Sequence, residues 1–78
     1  MRKETIHYLL KHESGFYVKT ASGFIELTED KERAKRFDPM ATEKSDDWNK
    51  LYSTGKYIVE KRTEVIAVKY EEVVLSDV

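Results

Sequence analysis

Cysteine is absent from the 78 residues, and the chain holds one proline and three glycines. Without cysteine there is no disulfide to staple a small core, no thiolate metal site and no thiol nucleophile, and the absence fits a reducing compartment. Neither charge dominates. Fourteen Lys and Arg against fifteen Asp and Glu leave a net charge of −1, which argues against a strongly basic nucleic-acid binder and equally against an acidic mimic of DNA. No apolar run approaches the roughly 20 residues that span a bilayer. The charged start Met1-Arg2-Lys3 is followed by a short apolar stretch interrupted by His7 and Tyr8, which is no secretion signal. The expectation is a soluble, cytoplasmic protein with no membrane contact.

Charged residues make up 37% of the chain and apolar residues 40%. The charges alternate in sign along the sequence, which favours solubility over steering of a charged ligand. One domain, residues 1–78, is expected. A domain of this size buries only about 60% of the surface its unfolded chain exposes, so a partner or a second copy would help it.

Residues 5–12 alternate apolar Ile6, Tyr8 and Leu10 with Thr5, His7 and Lys11, the period of a half-buried strand, and Leu9 breaks the phase. Glu13-Ser14-Gly15 is turn chemistry. A second strand begins at Phe16, ends at the turn residues Thr20-Ala21-Ser22-Gly23, and leads to a third, Phe24-Ile25-Glu26-Leu27. Short turns between three strands predict an antiparallel meander, because parallel neighbours need a crossover of a dozen or more residues. Thr28 then reads as the cap of a helix over residues 29–37, with Ala34 and Phe37 on one face and Glu32 paired with Arg36. Asp38-Pro39 ends it. A second helix starts either there or at the capping sequence Ser45-Asp46-Asp47, carries Trp48, Leu51 and Tyr52, and stops at Gly55. The last third is β-rich, with Tyr57-Ile58-Val59 and Val65-Ile66-Ala67-Val68 as β-branched clusters. Residues 60–64 are either a hairpin loop or the exposed middle of one long bent strand, and the lack of glycine or proline after Gly55 favours the long strand. The predicted class is α+β: an antiparallel sheet in the order β-β-β-α-α-β, last strand long or split, with two helices on one face.

Site chemistry is sparse. His7 and His12 are five apart on one strand and point to opposite faces, so they share no metal and relay no proton. Ser14 lies near His12 across the turn, but no orienting carboxylate or glycine-rich oxyanion loop completes a catalytic set. No enzyme, cofactor or metal site is expected. Gly15-Phe16-Tyr17-Val18 shares a glycine followed by strand aromatics with RNA-recognition sheets, but lacks the flanking basic residue and second small residue of that motif. The basic run Lys31, Arg33, Lys35 and Arg36 is laced with Glu29, Asp30, Glu32 and Asp38, as in a solvated helix face. Leu9, Tyr17 and Phe24 fall out of phase with the main apolar face, so some of them lie on a second face of the sheet, covered by the helices or by a partner. The closing strand is a further candidate contact through edge pairing.

The order of these features carries a resemblance. Tyr8-Leu9-Leu10-Lys11-His12, then Gly15-Phe16-Tyr17-Val18, then the stretch from Leu27-Thr28 through Ala34 and Phe37, then Val68-Lys69-Tyr70-Glu71-Glu72-Val73 resembles small uncharacterised accessory proteins of phages and prophages of low-GC Gram-positive bacteria. The resemblance spans most of the chain and brings no catalytic residues. It implies a compact protein that binds a host or phage protein, such as an inhibitor of a CRISPR-type defence nuclease or of a replication protein. Tyr17, Phe24 and Tyr70 are the expected partner-binding anchors, with Lys19 and Glu72 at the rim, because interfaces favour aromatic anchors. The alternatives are a nucleic-acid-binding module built on the aromatic hairpin, and a homodimeric structural or assembly component of a phage sealed through the last strand.

Overall fold

A computed structural model describes residues 3–20 and 24–75. Its centre is a five-stranded antiparallel sheet in the order β3-β2-β1-β4-β5, formed by β1 (Thr5–His12), β2 (Tyr17–Thr20), β3 (Glu26–Thr28), β4 (Tyr57–Glu64) and β5 (Val68–Val73). The α+β class and the opening meander hold. Gly15 takes φ of 97° in the first turn, the left-handed conformation that glycine alone adopts freely. The turn predicted at residues 20–23 falls mainly outside the described residues.

The predicted helix over residues 29–37 does not form. Asp30, rather than Thr28, is the cap: its Oδ1 accepts from the Glu32 amide at 2.9 Å, and only a single 3-10 turn, Lys31–Arg33, follows before Ala34 turns extended at ψ 144°. Tertiary pairing overrides helical propensity here. The Tyr8 amide donates to the Phe37 carbonyl and the Phe37 amide to that of Tyr8, each at 2.9 Å, while the Lys35 amide donates to the Val18 carbonyl. Residues 35–37 thus lie between β1 and β2 beyond their meeting point at Lys11 and Tyr17. In an extended segment Ala34 and Phe37 point to opposite faces, where a helix would have placed them together.

A second 3-10 turn, Thr42–Lys44, precedes the α-helix α1 (Asp46–Tyr52). Ser45 caps it, accepting from the Trp48 amide at 3.2 Å, so the Ser45 start is the one realised and a single α-helix replaces the expected pair. The long final strand is also corrected. Residues 60–64 complete β4, and the chain reverses at residues 65–67, so the apolar Val65-Ile66-Ala67 cluster is the turn of a β4-β5 hairpin. The hairpin pairs β4 with β5, from Val59 opposite Val73 to Glu64 opposite Val68, so β4 is bonded on both sides, to β1 and to β5.

The sheet is covered on both faces. On one, Leu10, Val18, Val59, Phe37, Trp48 and Leu51 form the main core, with Trp48 edge-on to Phe37 at 5.1 Å and stacked on Tyr8 and Tyr52 at 5.9 and 5.7 Å. On the other, Leu9 and Tyr17 are covered by Ala34 and Tyr70. The second-face assignment of Leu9 and Tyr17 therefore holds, and the fold's own chain covers them.

Candidate functional site

The five residues expected to bind a partner fall into three environments. Tyr17 is 3% exposed, and its hydroxyl donates to Glu60 Oε1 at 2.9 Å; it is spent in the fold and offers no surface. Burial, the bond to Glu60 and that carboxylate's charge push its pKa up to about 12. Phe24 and Lys19 are exposed near the β3 edge, and Tyr70 and Glu72 lie on β5 at the opposite edge of the sheet. The structure does not unite them in one patch.

Tyr70 belongs to a polar cluster beneath the 3-10 turn at Lys31. Its hydroxyl donates to Glu32 Oε1, and Lys31 Nζ stands 4.7 Å over its ring. The guanidinium of Arg62, 3% exposed, donates to Glu32 Oε2 at 3.3 Å and to Glu64 Oε1 at 3.2 Å. The Tyr70 hydrogen bond, aided by Arg62 and Arg36, holds the Glu32 carboxyl below its usual range; burial, aided by the donated bond, raises the Tyr70 phenol. The cluster clamps residues 30–34 to the sheet. The Arg62 guanidinium faces Glu32 and Glu64, while Lys31 is exposed and lies over the Tyr70 ring.

The remaining basic side chains of that segment are also engaged. Arg33 pairs with Asp30, Arg36 with Glu32, and Lys35 lies 5.5 Å from the Phe37 ring. The aromatic hairpin is split as well: Phe16 is exposed while Tyr17 is buried, so the two form no shared stacking surface for bases.

Ser14 and His12 do meet. The Ser14 hydroxyl is 2.8 Å from His12 Nδ1, and the Ser14 amide donates to the same nitrogen at 3.1 Å. That pair closes the turn. Among the described residues no carboxylate is hydrogen-bonded to the His12 ring, which packs edge-on against Tyr57 at 5.1 Å. Among the described residues no three metal-ligating side chains cluster, and no helix is long and apolar enough to cross a membrane. A shallow groove of about 160 Å³ is lined by Tyr52, Tyr57, Val73, Leu75 and Glu72.

What stands out is apolar surface on the two sheet edges. Phe16, Phe24, Ile25 and Leu27 are exposed around β3, Phe24 at 70%. Val65, Ile66 and Val74 are exposed at the ends of β5, Ile66 at 74% and Val74 at 87%. Sequence reasoning missed Ile25 and Leu27, whose β-branched or aliphatic character reads as core, whereas Ile66 and Val74 fall within the closing stretch, Ile66 to Leu75, expected as a second candidate contact. The one available signal for Ile25 and Leu27 is that they sit in or beside short segments next to turns. No family model matches the chain, and neither a curated protein nor a solved structure is similar to it.

Proposed function

We propose that this chain is a non-catalytic protein-interaction module that binds a host protein through the β3 edge, in the cytoplasm of a bacterial host. The phage and prophage accessory proteins that its element order resembles supply the partner class: a defence nuclease of CRISPR type or a replication protein, inhibited by occupation of its surface.

The observation that carries this is the exposure of Phe24, Ile25, Leu27 and Phe16 around an edge strand of three residues whose outer backbone is unpaired among the described residues. An extended segment of the partner would add to β3 through backbone hydrogen bonds, with Phe24 as the aromatic anchor and Lys19 at the rim. Surface apolar residues gathered at an unpaired edge are what a monomer otherwise avoids.

The test is affinity capture from nuclease-treated lysate of a low-GC Gram-positive host. A protein retained by the natural chain and lost with both Phe24→Ser and Leu27→Ser, each still folded by circular dichroism, supports the proposal. Equal retention by the variants, or capture that disappears when nucleic acid is digested, overturns it.

A further inference from the structure

We infer that β5 is a self-complementary edge through which two copies of this chain join into one continuous antiparallel sheet. β5 is the outermost strand beside β4, and none of the described residues pairs with its outer side. Its six residues contrast with the three of β3, whose ladder to β2 is irregular between Val18 and Thr20.

Symmetry restricts the register sharply. Two antiparallel copies of one strand are related by a two-fold axis perpendicular to the sheet, which keeps each side chain on its own face. Partners are then residues of equal parity, and the axis passes through a residue facing its own copy. With the axis at Tyr70, Lys69 lies opposite the partner's Glu71 and Glu71 opposite the partner's Lys69, so two unlike-charge pairs form on one face. Both side chains are exposed, and they already approach each other to 3.7 Å within one chain. At each end of that seam, the exposed Ile66 of the β4-β5 turn and the partner's Val74 just past β5 lie on the same side, two of the most exposed apolar side chains among the described residues.

Other registers lose this match. An axis at Lys69 opposes two lysines, and an axis at Glu71 or Glu72 opposes two glutamates, which is destabilising across strands. An axis at Val68 sets Lys69 against the partner's Ala67 and leaves the charges without partners. The Tyr70 register alone pairs opposite charges and covers the exposed ends, with Glu72 at the rim opposite the partner's Val68. The clamp of Tyr70 by Glu32 and Lys31 fixes the residue at the axis before association.

Sedimentation equilibrium of the natural chain and charge-reversed variants tests the inference. The natural chain is expected to be a dimer at about 100 μM whose association weakens with added salt. Lys69→Glu and Glu71→Lys each create two like-charge pairs at the seam and weaken the dimer by about tenfold or more. An equimolar mixture of these two variants restores association, because every pair across the mixed seam is again of opposite sign. A monomeric natural chain, reversals that leave the dimer unchanged, or a mixture that stays monomeric each overturns it. The β3 proposal concerns the other edge and survives or fails separately.

Discussion

The two faces of the sheet differ in kind. One carries Leu10, Val18, Val59, Phe37, Trp48 and Leu51, an apolar core with Trp48 in contact with three other rings. Among the described residues, the other buries only Leu9, Tyr17 and Ala34 as apolar residues and surrounds them with Glu60, Arg62, Glu32 and Tyr70. Burial of apolar area drives folding without regard to direction, whereas hydrogen-bonded charges specify position while adding little net stability. The aromatic face therefore holds the domain together, and the polar face decides where residues 30–34 lie.

The largest effect expected is at Trp48. Trp48→Ala removes the ring around which the aromatic core is packed and costs about 3–5 kcal/mol, most of what a domain of this size has. Chemical denaturation should find the variant largely unfolded; a loss below about 1 kcal/mol would dissolve the contrast between the faces.

On the polar face, Tyr17→Phe leaves Glu60 with Lys11 at 3.9 Å as its remaining partner and should cost about 1–2 kcal/mol at neutral pH. The same residue gives the domain an alkaline limit. The unfolded chain releases the phenolic proton near pH 10 and the folded chain near 12, so stability present below pH 10 is lost as pH rises toward 12. Tyr17→Phe should flatten that decline in a pH series of thermal melts, and an unchanged slope would assign the decline to other groups.

Glu32 supplies the acid side. Its folded pKa lies below the unfolded value, so its contribution is present above the ordinary glutamate range and disappears as pH falls through the folded value. Glu32→Gln should remove that part of the acid dependence and raise hydrogen exchange at residues 31–34 while leaving α1 protected. Equal loosening of α1 would mean that the faces are not separable. The smallest effect belongs to Phe24→Ser, expected within about 0.5 kcal/mol of the natural chain because the ring is exposed. A larger loss would make Phe24 part of the fold and remove it from the β3 surface.

Several elements were decided within a few residues of sequence. The alternation over residues 5–12, the glycine turn at 15 and the out-of-phase placement of Leu9 and Tyr17 rest on local periodicity and turn chemistry, and the structure keeps each of them, whereas of the two helix starts that the sequence left open the structure realises the one at Ser45. Tertiary structure decided the rest. Residues 29–37 carry helix formers throughout, yet the free edges of Tyr8 and Val18 offer Phe37 and Lys35 backbone partners that a helix would forgo. Tyr17 binds Glu60 43 positions away, and Tyr70 binds Glu32 38 positions away, so which aromatics are consumed by the fold is set by pairs that no local pattern encodes. The sequence by itself determined the class of fold and the two-sided sheet, because periodicity and composition are properties of the chain. Only the tertiary structure separated Tyr17 from Phe24, packed Tyr70 of the edge strand β5 against the buried Leu9 and Tyr17, and left Glu72 exposed on that edge, because exposure depends on what the remainder of the chain covers.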